Sequence, residues 1–119
     1  AVEMCRGELP LIVSLPAEQA PELGGRLVDL GAAAISLAAP RGALPRGGQL
    51  VTGRLLGPAL YPRALEAVRS AARLGFPVIG AGGVSSPAAA QAMRTAGALA
   101  VQVDSAFWLP SFQAAAAAT

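Results

Sequence analysis

The pattern of apolar and polar positions predicts a chain in which short strands alternate with helices. Four nearly continuous apolar runs have the length of strands and lie near residues 9–15, 33–38, 77–80 and 98–103. Three segments with helical spacing lie between them, near residues 17–30, 61–74 and 86–96. Continuous apolar runs are typical of parallel strands. The alternation therefore predicts an α/β fold with four parallel strands in sequence order and helices on one face of the sheet.

The segment from Ala39 to Leu60 interrupts this alternation. It is rich in glycine and proline, so we expect an irregular connection that is either functional or a small excursion of its own. Four strands with their helices are half of an eight-stranded barrel, and residues 1–6 look like the end of an earlier helix. We therefore expect the chain to begin inside a fold and to finish in a helical tail over 111–119.

A glycine turn follows the third predicted strand. The turn Gly80–Gly83 ends the run Pro77–Ile79, and Ser86 and Pro87 are residue types that begin a helix. Such a turn brings backbone N–H groups and a helix N-terminus close to a phosphate. A tight turn without a ligand has the same pattern, so the glycines alone leave both interpretations open.

Composition narrows the class of protein. Hydrophobic residues make up 54% of the chain and charged residues 13%, so most segments are expected to enter a core. Each apolar run is interrupted before it reaches the length of a membrane span, and residues 1–10 lack the layout of a signal peptide. Cys5 is the single cysteine, which excludes an internal disulfide and fits a reducing compartment. We expect a cytoplasmic protein without a membrane span.

Three residue types are missing from the sequence: histidine, lysine and asparagine. One cysteine without histidine cannot form a zinc or Cys–His site, and a catalytic lysine is excluded within this chain. All nine basic residues are arginines, and they are spread along the chain with a net charge of only +2. Nucleic-acid binding favours clustered cations and aromatic platforms, so we expect neither a nucleic-acid partner nor a metal.

Five segments together resemble the C-terminal half of the dihydroorotate dehydrogenase family and its dihydropyrimidine dehydrogenase relatives, in the family's order and at plausible spacing. These segments are Leu9–Pro16, Ala34–Leu37, Gly57–Leu65, Pro77–Val84 and Val101–Ala106. The resemblance implies that residues 1–119 form the C-terminal half of a TIM (β/α)₈ barrel that binds FMN. It also implies a relation to the oxidation of dihydroorotate to orotate in pyrimidine biosynthesis.

The resemblance assigns seven positions to FMN binding. They are Gly53, Gly57, Gly80, Gly82, Gly83, Asp104 and Ser105. The first two match the loop over the flavin, the next three the turn that holds its phosphate, and the last two a second phosphate turn. Family members usually carry a neutral residue at the position of Asp104, where a carboxylate repels phosphate. Arg54 and Leu56 replace small residues of the flavin loop and would occupy part of the flavin's space.

The catalytic side chains of the family have no counterpart here. Its strand-five lysine falls on Ser14, its strand-six Asn-Thr pair falls on Ala39 and Pro40, and its catalytic base lies on the other half of the barrel. We therefore assign no catalytic residue, and expect a chain that does not turn over dihydroorotate alone. If active, it would be an FMN-dependent oxidoreductase acting on CH–CH bonds; otherwise it is a pseudoenzyme.

Three functional hypotheses stay open from the sequence. The first is an FMN-binding piece whose barrel is completed by another chain or a second copy. The second is a degenerate half-barrel that serves as a structural or assembly subunit. The third is a different phosphate-binding barrel, although the block Gly57–Leu65 and the long connection before it are not shared with such barrels. A half-barrel would have two unpaired sheet edges and an apolar inner sheet face. The first two hypotheses therefore lead us to expect an oligomer.

Overall fold

The structure, a computed structural model, describes residue 7 and residues 9–110. Its main sheet has four parallel strands, which lie side by side in the order in which they occur along the chain; a separate hairpin lies between the second and third of them in sequence. The strands of the main sheet are β1 (Ile12–Pro16), β2 (Ala34–Ala38), β5 (Val78–Gly80) and β6 (Ala100–Val101). This confirms the predicted α/β arrangement, which is that of part of a (β/α)₈ barrel. Cys5 and the predicted tail over 111–119 lie outside the described residues.

Helices cover one face of this sheet, as predicted. They are α1 (Ala20–Asp29), α2 (Tyr61–Ala72) and α3 (Pro87–Thr95). Because successive side chains of a strand point to opposite faces, Leu15, Ile35 and Val78 face the helices and form the core with Val68 of α2 and Met93 of α3. Ile35, Val68 and Met93 are completely buried. The core therefore lies between the sheet and its helical layer.

Caps fix where the helices begin and end. At the start of α3, the Ser86 hydroxyl accepts a hydrogen bond from the Ala89 N–H at 3.1 Å, which confirms the predicted N-cap. After α1, Gly31 has φ +115° and its N–H donates to the Val28 carbonyl, while the Ala32 N–H donates to Leu27. This is the Schellman arrangement, in which a glycine at positive φ ends the helix. Gly97 ends α3 in the same way, with φ +114°.

The segment predicted to be irregular contains an antiparallel hairpin, so that prediction was wrong over residues 41–54. Strands β3 (Arg41–Arg46) and β4 (Gln49–Arg54) pair along their full length. The loop consists of Gly47 and Gly48 with φ +58° and +76°, the conformation of a two-residue type I′ turn that suits the twist of paired strands. The hairpin forms a two-stranded sheet of its own, which agrees with the expected excursion.

Within residues 9–110, no helix lies on the second face of the main sheet. One row of side chains across this face consists of Ser14, Ser36, Ile79 and Ala100, because each is the register partner of the next. Two of these four side chains are hydroxyls, so the expectation of a uniformly apolar inner face was wrong in part. Strands β1 and β6 are the edges of this sheet. Among the described residues, no helix is both long and apolar enough to cross a membrane.

Candidate functional site

Two adjoining cavities open at the carboxyl ends of the parallel strands. The smaller one has a volume of about 50 Å³ and the larger one about 580 Å³. Residues that line both are Ser14, Leu37, Ala38, Ala39, Arg54, Ala81 and Gly82. In parallel α/β sheets, ligands bind at this edge because the loops that follow the strands converge there. A combined space of this size falls within the range of small-molecule sites.

The smaller cavity brings together five of the seven positions assigned to FMN binding. Its lining includes Gly57, Gly82, Gly83, Asp104 and Ser105. Gly82 and Gly83 follow β5, and Asp104 and Ser105 follow β6, the neighbouring strand of the sheet. Two turns that are far apart in sequence therefore share one cavity, since parallel neighbours end at the same edge.

The other two assigned positions lie outside both linings. Gly53 is a register partner of Gly42 within the hairpin. Gly80 is buried at the end of β5, where a Cβ atom would come within 2.9 Å of the Met93 sulfur and 3.1 Å of Val68. Its small size therefore serves the packing of α2 and α3 on the sheet.

Backbone donors point to an anion at the smaller cavity. Within the described part of the chain, the N–H groups of Gly82, Gly83 and Ser105 donate to no other residue. Unpaired N–H groups in successive turn residues form concave anion sites. At the start of α3, two of the first three positions offer no free donor, because Pro87 has no N–H and the Ala89 N–H is already bonded to the Ser86 hydroxyl. The turns themselves supply the donors.

Gly83 also has a packing role that the sequence did not reveal. It has φ +69°, and a Cβ atom there would lie 2.5 Å from the Tyr61 nitrogen and 2.9 Å from the Gly57 carbonyl oxygen. The turn after β5 thus lies directly against the backbone at the start of α2. Gly82, with φ +113°, is less confined: its Cβ atom would lie 3.0 Å from the Ala64 Cβ atom. A glycine turn here serves chain packing as well as any ligand.

The charges around the smaller cavity have opposite signs. Asp104 and Arg54 both line it, and among the described residues they make no ion pair with one another. The Asp104 carboxylate would repel an anion bound at Ser105. The positive charge of Arg54 would attract such an anion, so it would partly offset the repulsion by the Asp104 carboxylate.

The larger cavity is bordered by three guanidinium groups and one carboxylate. These belong to Arg41, Arg54, Arg63 and Glu18. Arg63 and Glu18 approach each other to 3.9 Å, with both side chains largely exposed. The arginines are scattered along the sequence, so this grouping was not predicted. The signal lay in the two arginines at the ends of the hairpin sequence, which become neighbours once the strands pair.

The positions that correspond to the family's flavin lysine and Asn-Thr pair also reach the cavities. Ser14 and Ala39 line both of them, and Pro40 lines the larger one. None of these three side chains carries a cation or an amide. No cluster of three or more potential metal-ligating side chains occurs among residues 9–110.

Comparison with protein families gives a match to one of them. The family described as dihydroorotate dehydrogenase matches residues 40–116, about two thirds of the chain. The matched range includes the hairpin, both turns of the smaller cavity and β5 and β6. It begins after β2, so the blocks Leu9–Pro16 and Ala34–Leu37 lie outside it. A search of individual curated proteins gives no match.

Proposed function

Because the chain belongs to the dihydroorotate dehydrogenase family, we propose that it is a cytoplasmic FMN-binding half-barrel, spanning residues 1–119, that does not oxidise dihydroorotate on its own. The FMN phosphate would be held by the N–H groups of Gly82, Gly83 and Ser105. The observation that carries this proposal is that three residues whose N–H groups donate to no other described residue line one cavity.

The size and surroundings of the smaller cavity support a phosphate. Its volume of about 50 Å³ suits a compact anionic group, and it opens beside the larger space at the strand ends. Gly82 and Gly83 have positive φ and carry no side chain, so no side chain of their own fills the cavity that they line. FMN, when bound, supplies a two-electron redox centre; the residues of this chain bind and orient its phosphate.

The absence of turnover follows from the side chains at the strand ends. Ser14, Ala39 and Pro40 cannot supply the positive charge and amide contacts that the resemblance implies for the flavin and substrate. Lysine and asparagine are missing from the whole sequence, so neither of these two residue types is present at another position of this chain. Binding thus needs only backbone donors, which are present, whereas catalysis needs side chains that are missing.

A second candidate function is that of a non-enzymatic assembly subunit. Within residues 9–110, no helix covers the inner face of the main sheet, and β1 and β6 are its edge strands; both facts favour this function, because the outer N–H and C=O groups of an edge strand are templates for pairing. Either another protein chain or a second copy would cover these edges and complete the barrel. Sedimentation at micromolar concentration tests this: a stable monomer that stays folded would contradict it.

Titration with FMN, followed by quenching of flavin fluorescence, tests the proposed cofactor. Replacing Asp104 by asparagine removes a repulsive charge, so FMN affinity should rise about threefold to tenfold at low ionic strength. Asp29→Asn, an exposed position at the end of α1, makes the same charge change and should alter affinity by less than about twofold. An unchanged affinity in the Asp104 variant, or no quenching of FMN by the wild-type chain, would contradict the proposed site.

A further inference from the structure

The hairpin places two arginines directly opposite each other. Arg41 and Arg54 are register partners at its open end, where the Leu55 N–H continues the ladder to the Pro40 carbonyl at 2.9 Å. Directly opposed residues of antiparallel strands have Cβ atoms about 5 Å apart, and like charges in such pairs are destabilising. The hairpin therefore holds two positive charges together against their mutual repulsion.

Nothing in the described part of the chain neutralises this pair. Neither Arg41 nor Arg54 forms an ion pair or a side-chain hydrogen bond there. The carboxylate that borders the same cavity, Glu18, lies against Arg63 instead. Two arginines that form no ion pair with a described residue thus border a cavity of about 580 Å³, and Asp104 shares only the smaller cavity with Arg54.

We propose that Arg41 and Arg54 form a binding site for a small organic anion, which adjoins the phosphate turn and does not require FMN. The ligand class is a molecule with a carboxylate or phosphate group, because a guanidinium donates two parallel hydrogen bonds to the paired oxygens of either. The apolar part of the ligand would lie against the Leu37, Ala64 and Ala67 side of the cavity. Arg41 lines the larger cavity alone, whereas Arg54 lines both, so Arg41 distinguishes this site from the turn.

Calorimetric titration of the full chain at low ionic strength tests the proposal with two probes, inorganic pyrophosphate and citrate. Pyrophosphate represents ligands with a phosphate group, and citrate represents ligands with a carboxylate group. The probe that binds with the higher affinity identifies the group that the site prefers. Arg41→Gln should weaken binding of the preferred probe by about tenfold or more, since a charge-assisted hydrogen bond is lost. Arg46→Gln is the matched control: it removes the same charge at the far end of β3, borders neither cavity, and should change affinity by less than about twofold.

Urea unfolding without added anion provides a second measurement. Arg41→Gln relieves the repulsion with Arg54, so it should raise the midpoint of unfolding above that of the wild type, and added pyrophosphate should then stabilise the variant less. Arg46→Gln should keep the wild-type response to pyrophosphate. Three results would each overturn the proposal. The first is that Arg41→Gln binds both probes as tightly as the wild type does. The second is that the wild type binds neither probe, and the third is a lower midpoint of unfolding for Arg41→Gln than for the wild type. Loss of FMN binding alone would leave it standing and would count against the phosphate turn only.

Discussion

Replacing Gly83 by alanine tests whether this glycine is required by chain packing. The added methyl group would meet the Tyr61 nitrogen at 2.5 Å and the Gly57 carbonyl oxygen at 2.9 Å, and both contacts are with backbone atoms that cannot rotate away. Residue 83 also has φ +69°, which costs a non-glycine residue about 1 kcal/mol. Overpacking of this kind adds about 1–3 kcal/mol. We therefore expect a loss of about 2–4 kcal/mol in the free energy of unfolding.

Gly47→Ala is the matched control for this variant. Gly47 has a similar φ of +58° and open space around its Cβ position, so only the conformational cost of about 1 kcal/mol applies. Urea unfolding followed by far-UV circular dichroism measures both variants; Trp108 is 78% exposed and is a poor reporter of the core. Equal losses at the two positions would refute the reasoning, because the close approach between the turn and α2 would then carry no energetic cost.

Further variants test the core, the caps and the absence of turnover. Gly25→Ala should stabilise the protein by about 0.5–1 kcal/mol, because Gly25 lies within α1 and the space around its Cβ position is open. Gly24→Ala should destabilise the protein, because the added Cβ atom would lie 2.5 Å from the Phe76 ring. Urea unfolding of both variants measures the two changes, and equal effects would contradict this prediction. Met93→Ala should cost about 2–5 kcal/mol in the same assay, since the side chain is fully buried, and a loss below 1 kcal/mol would contradict the described core. Ser86→Ala should cost about 1 kcal/mol through loss of the α3 N-cap, with Ser86→Asp retaining stability; equal losses in both would argue against capping. The FMN-loaded chain should reduce no dye with dihydroorotate, and measurable turnover would contradict the proposed loss of catalysis.

The main sheet could be predicted because its signals are local. Apolar runs of strand length, and helix ends marked by Ser86, Gly31 and Gly97, act within a few residues of chain. The hairpin was missed because its glycines and prolines were interpreted as loop composition. Gly47 and Gly48 between two six-residue segments were the overlooked signal, since a two-glycine loop favours a type I′ turn.

The candidate site was predictable only as far as it depends on strand order. The turns after β5 and β6 meet because parallel neighbours end at one edge, and this placed Gly82, Gly83 and Ser105 together. Gly80 was assigned to a ligand, yet its neighbours are Met93 and Val68, contacts that depend on how helices pack across the sheet. The pairing of Arg41 with Arg54 depends on hairpin register, which the sequence analysis did not consider.

The two helix ends at Gly31 and Gly97 have a consequence for protein engineering. In both places the strand begins five residues after the last helical residue, at Ala34 after Asp29 and at Ala100 after Thr95, with φ at the glycine equal to within one degree. The chain therefore uses a connector of the same length and glycine conformation twice. Connectors of defined length and backbone geometry determine how a helix is oriented on the next strand. A helix and strand added to this sheet through the same connector should keep that orientation, so the connector is a reusable part for building larger closed sheets.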